Sequence, residues 1–317
     1  MNLFLVILLF ALGLVLVVKG GDFFVDAASW MAEASGIPKF IVGATIVSVA
    51  TTLPEMLVSM IAAAGGKVDM AVGNAVGSVT CNTGLIMGLL VVFMAGTVKR
   101  SQFGVKSLLM IAAAVVLAVF GLSGSLGTVP SVLLLILFAL FIAENLITGR
   151  REMGASTDER PEVNRQTLTR NIVLFLVGTA GIVIGAQLMV DNGSALAAAL
   201  GVPEAIIGVT MIAVGTSLPE LVTAITAIRK RQSQLSVGNI IGANIIDLTV
   251  ILPLCSLVSG KALPFGVQSM YWDMPACAII AAIAVIPTLI TEKLQRWQGV
   301  LLLASYAVYL VLITCVA

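Results

Sequence analysis

The stretch GIPKFIVGATIVSVATTLPEM, from Gly36 to Met56, decides the fold of this chain because the sequence contains a second version of it. It aligns without gaps with GVPEAIIGVTMIAVGTSLPEL, from Gly201 to Leu221, at an offset of 165 residues. One offset that fits several separated features indicates a duplicated unit. The same offset relates GNAVGS (Gly73 to Ser78) to GNIIGA (Gly238 to Ala243), Asn82 to Asp247, and Asp26 to Asp191.

The composition around these repeats is that of a protein that crosses a membrane many times. The chain has 317 residues, of which 59% are hydrophobic and 10% charged, and its mean hydropathy is +1.12. Roughly 20 apolar residues span a bilayer as a helix. The apolar blocks therefore predict ten transmembrane helices, at 2–19, 38–64, 70–96, 104–123, 129–149, 169–190, 203–228, 235–260, 272–292 and 297–316.

The loops between these spans carry their basic residues in alternation. Five loops hold clusters such as Lys99 with Arg100, and Arg229 to Arg231, whereas the opposite set contributes only Lys67 and Lys261. By the positive-inside rule, both termini lie outside the cell. We read the first span as a retained helix, because no small-residue cleavage site follows it.

Each repeat holds five spans, an odd number, so the second repeat enters the membrane in the opposite sense. We therefore predict an all-α polytopic membrane protein of ten helices, built as two inverted five-helix repeats. The predicted division is a first repeat over 1–149, a cytoplasmic linker over 150–168 and a second repeat over 169–317. Inverted repeats are typical of secondary transporters, whose ion sites lie near the midplane on interrupted helices.

The repeated stretch places a proline inside each of spans 2 and 7. Pro54 cannot bond the carbonyl of Ala50, and Pro219 frees the carbonyl of Gly215, so we expect both helices to kink. A freed carbonyl in hydrocarbon needs another partner. Hydroxyls stand beside each proline, and a glutamate follows it, which together form a set of hard oxygen donors suited to sodium or calcium. These residues are Thr51, Thr52 and Glu55 in the first repeat, and Thr216, Ser217 and Glu220 in the second.

The second motif adds glycines to spans 3 and 8. In span 3 they are followed by Ser78 and Asn82, about one helical turn apart, and in span 8 by Asp247. A single intramembrane Ser, Thr or Asn is more often a helix-packing residue than a ligand. Buried carboxylates are costly in a membrane and usually functional, so Glu55, Glu220 and Asp247 favour an ion site. Glu144 fits a snorkelling or helix-packing role within a turn or two of the cytoplasmic end of span 5. The remaining acidic residues near span ends fit solvated boundary charges: Asp22, Asp26, Glu33, Asp191 and Glu204.

Two features of the composition limit which metals and which proton-transfer groups the chain can use. The chain has no histidine, so any proton transfer would fall to carboxylates, and soft or borderline metals lose their commonest ligand. The cysteines lie in apolar spans without CxxC spacing, which argues against a disulfide or a zinc site. They are Cys81, Cys255, Cys277 and Cys315.

At TTLPE with GNAVGSVTCN, and at GTSLPE with GNIIGANIID, the sequence resembles the two alpha repeats of the sodium/calcium exchanger family, within the cation/calcium antiporter superfamily. The compact length is similar to that of prokaryotic members. The resemblance implies that Glu55 and Glu220 are central carboxylates shared between calcium and sodium. It further implies backbone carbonyls from Thr51 and Thr216, hydroxyls from Thr52 and Ser217, central ligands from Asn82 and Asp247, and outer sodium ligands from Ser78 and the carbonyls of Ser48 and Ala213.

The chain departs from the family pattern at two positions. Ala243 stands where the motif usually has serine, which removes one hydroxyl from a flanking sodium position and leaves the stoichiometry open. Ser48 stands where a small residue such as alanine is common, and its hydroxyl is an additional potential ligand.

The resemblance implies a secondary active antiporter, not an enzyme, that exchanges calcium for sodium by alternating access, with spans 1 and 6 sliding against the core. Two alternatives within transporters are a proton/calcium exchanger and a potassium-dependent sodium/calcium exchanger. A cation channel is a different class, and an internal inverted pair favours alternating access over a continuous pore. The expected partners are the transported ions and the bilayer, without a cofactor, a nucleic acid or an obligatory protein partner. The expected location is a prokaryotic inner membrane.

Overall fold

A computed structural model describes residues 3–153, 163–200, 215 and 217–316. Ten helices and four two-residue strands make up the described chain. The helices are α1 (Leu3–Ser35), α2 (Lys39–Ala64), α3 (Val68–Phe93), α4 (Arg100–Gly121), α5 (Thr128–Met153), α6 (Arg165–Ala199), α7 (Leu218–Arg229), α8 (Ser233–Ser259), α9 (Ser269–Thr291) and α10 (Arg296–Val316). The strands are β1 (Gly96–Thr97), β2 (Ser125–Leu126), β3 (Leu263–Pro264) and β4 (Lys293–Leu294).

The helices confirm the predicted membrane architecture. Within the described residues, nine of them are long and apolar enough to cross a membrane. Half of predicted span 7, at 203–228, falls outside those residues, and α7 is its described end. The helices α5 and α6 extend into both ends of the predicted linker, and residues 154–162 between them are also outside the described chain.

The first helix is the largest departure from the predicted bounds. Its apolar block ends near residue 19, but α1 continues to Ser35 and is 33 residues long. The extension forms because Phe24, Val25 and Ala28 bury one face of it against the core. Gly36, at φ 69°, then ends the helix in the left-handed conformation that glycine adopts without strain.

Four helices form the centre of the molecule. The helices α2, α3, α7 and α8 all contact one another, and they carry the repeated motifs. On their flanks, α5 packs on α8 and α10 packs on α3, while α4 and α9 contact each other. The long helices α1 and α6 pair along their length and contact α2 and α7. The two motifs of each repeat are thereby brought to one place.

The turns after α2 and α7 show the duplication in the backbone. Gly66 and Arg231, related by the repeat offset, both have positive φ, at 76° and 56°. The amide of Lys67 donates to the carbonyl of Ala62 at 2.8 Å, and the related amide of Gln232 donates to the carbonyl of Ala227 at the same distance. The two repeats therefore turn in the same way, although their sequences at these turns differ.

The short strands pair between the repeats and report which loops share a membrane face. Strand β1, after α3, pairs antiparallel with β4, before α10. Strand β2, after α4, pairs antiparallel with β3, after α8. Paired loops must lie on the same side, so an even number of crossings separates the two members of each pair. Ten spans in strict alternation satisfy this requirement.

Candidate cation site

Three acidic side chains are buried among the four central helices. Glu55 of α2, Glu220 of α7 and Asp247 of α8 are fully buried. They are close enough that the charges of Glu220 and Asp247 both act on Glu55. Like charges in a medium of low dielectric constant repel strongly unless cations neutralise them. This cluster is therefore the strongest candidate for a cation site.

Hydroxyls from each repeat face the carboxylate of the other repeat. The Ser217 hydroxyl donates to Oε1 of Glu55 at 3.2 Å. The same arrangement holds in the other direction: Thr51 and Thr52, from the first repeat, face the carboxylate of Glu220, from the second. Each half of the site therefore combines residues from both repeats, which is what an inverted duplication with its site at the repeat interface requires.

The helices α3 and α8 depart from regular α geometry at the site. A π-helical segment begins at Asn82 in α3 and at Asp247 in α8, two positions related by the repeat offset. Both residues are buried, and Ser78, one turn before Asn82, faces Glu55. Single π-helical turns occur frequently at functional sites, where they change the direction of a side chain. Because the two π-helical segments begin at repeat-related positions, we interpret them as part of the structure of the candidate site.

A third π-helical segment, at Gly43–Val47, precedes the site in α2. The α-helix then runs from Ser48 to Ala64 with Pro54 inside it. In α7, Pro219 stands in the first turn of the described helix, where its missing N–H leaves no intrahelical bond unmade. The sequence predicts a kink at each proline, and the irregular turn that the structure shows lies before Pro54.

Many polar atoms of the cluster have no hydrogen-bond partner within the described residues. Buried polar groups in folded proteins almost always have such partners. Oxygens and amide groups that are buried without one are candidate ligands for a cation. The atoms concerned are Oε2 of Glu55, both carboxylate oxygens of Glu220 and of Asp247, both amide atoms of Asn82, and Oγ1 of Thr52.

Ser48 completes the described set of sequence-predicted site residues. It is buried on α2, one helical turn before Thr51 and Thr52, and its hydroxyl donates to the carbonyl of Thr45 at 3.0 Å. The structure thus places the following residues on the four central helices or, for Ser217, directly before α7: Ser48, Thr51, Thr52, Glu55, Ser78, Asn82, Ser217, Glu220 and Asp247. Ala213 and Thr216 lie outside the described residues.

Two buried asparagines next to the site were not predicted. Asn74 donates to the backbone carbonyl of Glu55 at 3.3 Å and to the Ser59 hydroxyl at 2.9 Å. Asn239 accepts from the Thr51 hydroxyl at 3.3 Å. Both belong to the GN motifs and are related by the repeat offset, which is the sequence signal that could have identified them.

Several charges predicted to be solvated at span ends have specific partners. Lys230, after α7, lies 2.7 Å from Asp26 and 3.5 Å from Asp22 of α1. These ion pairs form because the helical extension of α1 carries both aspartates to the α7–α8 turn, and the Asp26 side chain is still 63% exposed, as predicted for a solvated boundary charge. Glu33 pairs with Lys39 at 2.7 Å, and Asp191 accepts from Gln187 at 2.8 Å. Glu204 is outside the described residues.

Glu144 of α5 makes contacts that fit the packing role predicted for it. It lies 3.9 Å from the buried Lys106 of α4 and accepts from Thr148 at 2.7 Å. A further buried acid, Asp273 near the start of α9, was not predicted. It accepts from Ser269 at 3.2 Å and from the Tyr309 hydroxyl at 3.0 Å, so it is satisfied within the protein.

The arrangement does not form a conventional metal site from acidic and thiol side chains alone. In the described part of the chain, no three Asp, Glu or Cys side chains converge closely enough to hold a metal ion. Cys81, Cys255 and Cys277 are buried free thiols. Neutral amide and hydroxyl oxygens must therefore supply much of any coordination shell. Such a shell suits a transported ion, which is bound and released, better than a permanently bound metal.

Comparisons with known proteins agree with this architecture. The profile of the family described as sodium/calcium exchanger protein matches residues 5–146 and 170–315. The chain is 34% identical to the inner membrane protein YrbG of Escherichia coli, over 96% of this chain and 95% of that protein. It is 30% identical to the sodium/calcium exchanger MaX1 of Methanosarcina acetivorans, over 96% of this chain and 97% of that protein.

The structural comparison covers nearly the whole molecule. A solved structure of the sodium-calcium exchanger NCX_Mj superposes with a TM-score of 0.85. The match includes 98% of this chain and 99% of that chain, at 30% sequence identity.

Proposed function

Because the chain belongs to the sodium/calcium exchanger protein family, we propose that it is a secondary active antiporter that exchanges calcium for sodium by alternating access. Its relative MaX1 and its structural neighbour NCX_Mj are both described as sodium/calcium exchangers. The proposal assigns the transported ions as the ligands of the central cluster and assigns no cofactor or obligatory protein partner.

One observation carries the proposal. Three carboxylates are buried in the middle of membrane-spanning helices, and most of their oxygens have no hydrogen-bond partner in the described chain. Buried and unpaired carboxylates are strongly destabilising in hydrocarbon. Lysine and arginine are absent from the described contacts of this cluster, so mobile cations are the charges that fit it.

The charge count explains why two ion loads compete. Glu55, Glu220 and Asp247 offer up to three negative charges, which can balance one divalent ion or several monovalent ions. Both loads would draw on the same glutamates, so binding of one excludes the other. The proposed ligands are the side chains of Glu55, Glu220, Asp247, Asn82, Thr52, Ser217 and Ser78, with the carbonyls of Thr51, Thr216, Ser48 and Ala213.

The pairing of α1 with α6 suits the movement that alternating access requires. Both helices are longer than a bilayer needs, and glycines of each approach the other closely, next to one stacked pair of rings, Phe24 and Phe175. We assign to them the sliding motion against the four central helices. The proposed orientation has both termini outside and the 150–168 segment in the cytoplasm of a prokaryotic cell, with repeats at 1–149 and 169–317.

Removal of either glutamate tests the assignment of the site. Glu55→Gln and Glu220→Gln keep the size of the side chain but remove its charge. We expect each to weaken calcium binding by roughly 100-fold, because loss of one partner from a buried charge cluster costs about 3 kcal/mol. The measurement is equilibrium binding of calcium-45 to purified protein in detergent, with the expression level recorded for each variant.

A matched control separates charge removal at the site from charge removal elsewhere. Glu33→Gln removes a carboxylate that pairs with Lys39 at the end of α1, away from the site. It should bind calcium as the unchanged protein does. Calcium binding at full affinity in both Glu55→Gln and Glu220→Gln would remove the proposed site.

A further inference from the structure

The two repeats do not carry the same serines. At the repeat offset, Ser78 of α3 corresponds to Ala243 of α8, and Ser48 of α2 corresponds to Ala213. The first repeat therefore holds both serines, and the second repeat holds alanine at both positions. Each half of the site contains residues of both repeats. The two alanines of the second repeat therefore do not remove both hydroxyls from the same half.

The side chains around Glu55 and around Glu220 indicate to which half of the site each serine belongs. The half around Glu55 takes Ser78 from α3 and Ser217 from α7. The half around Glu220 takes Thr51 and Thr52 from α2, and α8 supplies the position of Ala243. Ser48 lies on the same face of α2 as Thr51 and Thr52, at helical spacings of three and four residues.

Ser48 is in contact with α8 beside Ala243. A Cβ atom built on Gly242 would lie 2.6 Å from the Ser48 hydroxyl oxygen, so this oxygen touches the backbone immediately before Ala243. The hydroxyl donates its hydrogen to the carbonyl of Thr45 at 3.0 Å. A hydroxyl has one hydrogen and two lone pairs, so the oxygen retains its acceptor capacity for a cation.

We infer that the Ser48 side chain replaces the hydroxyl that Ala243 lacks, and that it completes a sodium position in the half of the site around Glu220. The hydroxyl oxygen is supplied by Ser48 on α2 instead of by residue 243 on the facing α8, and Gly242 leaves the space that this oxygen needs. This inference rests on the proposed exchange of sodium and calcium. It makes Ser48 a specificity-determining residue for the monovalent ion, with little effect on calcium.

The test compares four proteins in reconstituted vesicles: the unchanged chain, Ser48→Ala, Ala243→Ser, and the double variant. One readout is the sodium concentration that half-activates calcium-45 uptake. The other is exchange of calcium-45 for unlabelled calcium without sodium, which reports folding and the calcium site independently. Ser107→Ala is the matched control, because Ser107 is also fully buried and donates to the carbonyl three residues before it at 3.0 Å.

We expect Ser48→Ala to raise the half-activating sodium concentration about three- to tenfold, the effect of losing one ligand of hydrogen-bond strength. Its calcium-for-calcium exchange should change by a clearly smaller factor than its sodium dependence, because alanine keeps the Ser48 backbone carbonyl. The double variant should recover the original sodium dependence, since Ala243→Ser restores an oxygen on α8. Ser107→Ala should change neither readout.

Three outcomes would overturn the inference. The first is an unaltered sodium dependence in Ser48→Ala, and the second is a double variant that does not recover. The third is an equal loss of both readouts in Ser48→Ala, which would make Ser48 a structural residue. Failure of the underlying function looks different, because the unchanged chain itself would then show no uptake driven by sodium.

Discussion

The Thr51 hydroxyl is held by a residue that does not itself belong to the predicted ligand set. This hydroxyl has two acceptors within reach, Oδ1 of Asn239 on α8 at 3.3 Å and the carbonyl of Ser48 on its own helix at 3.4 Å. Residues that orient metal ligands typically affect metal affinity 10- to 100-fold. We therefore regard Asn239, and by repeat symmetry Asn74, as positioning residues of the site.

Replacement of Asn239 should weaken ion binding without abolishing it. We expect Asn239→Ala to lower the apparent calcium affinity about tenfold, because Thr51, whose carbonyl is a proposed ligand, loses the contact with α8 that helps to position it. Calcium-45 binding measures the effect. The control is Asn145→Ala, which removes a buried asparagine that donates within α5 at 2.9 Å. Equal losses in both variants, or full affinity in Asn239→Ala, would refute the positioning role.

At this scale, the repeat offset identified charged and hydroxyl residues that the structure buries among the four central helices. Glu55, Glu220 and Asp247 were recognisable because a carboxylate in a span is costly wherever its helix packs. The amides of Asn74 and Asn239 were not, because asparagine in a membrane helix is commonly a packing residue. Their role depends on which helix crosses at that level, and the spacing of residues along one helix does not contain that information.

The pairing of α1 with α6 is the clearest feature at the scale of the elements. Gly13 meets Gly185 and Gly20 meets Gly178, and the repeat offset exchanges these two contacts. A Cβ built on Gly20 would lie 2.9 Å from the carbonyl oxygen of Gly178, and one built on Gly178 would lie 2.8 Å from that of Gly20. Only glycine permits backbones to approach this closely.

A single methyl group in this contact should destabilise the protein. Alanine ordinarily stabilises a helix interior by about 1 kcal/mol relative to glycine. Gly20→Ala should nevertheless lower the thermal unfolding temperature, because the new methyl meets backbone atoms that cannot move aside. Gly104→Ala in α4 is the control, since its nearest neighbour would lie at an ordinary 3.5 Å. Equal stability of the two variants in detergent would contradict the account of this contact.

The bounds of the elements were predictable only where hydropathy changes. Helix α8 was expected at 235–260 and runs from Ser233 to Ser259, because its loops are polar. Helix α1 was expected to end at residue 19, but it continues to Ser35. Its second half is amphipathic, with Asp22 and Asp26 paired to Lys230, so its stability comes from packing and ion pairs that a hydropathy pattern does not show.

At the scale of the whole molecule, the inverted duplication was predictable because two independent patterns agree. The constant offset of 165 residues defines the repeats, and the alternation of basic loops defines their opposite orientation. The pairing of β1 with β4 and of β2 with β3 was not predictable. Strands of two residues carry no periodicity, and their partners are set by how the loops meet at each face of the bundle.

The predicted orientation can be tested directly. Short epitope tags at the two termini should react with antibody in intact spheroplasts, because an even number of spans places both ends on one side and the positive-inside rule makes that side the outside. A tag inserted within the 150–168 segment should react only after the membrane is permeabilised. Terminal tags that require permeabilisation would reverse the orientation, and tags at opposite faces would contradict the ten-span count.

The central claim is that the buried carboxylates couple calcium movement to sodium movement. The most direct measurement is calcium-45 uptake into vesicles that contain only this protein, driven in turn by a sodium gradient, a pH gradient, and sodium with potassium. The account predicts uptake that requires outwardly directed sodium, does not need potassium or a pH gradient, and is lost in both Glu55→Gln and Glu220→Gln. Uptake driven by the pH gradient alone, or no uptake under any gradient, would contradict it.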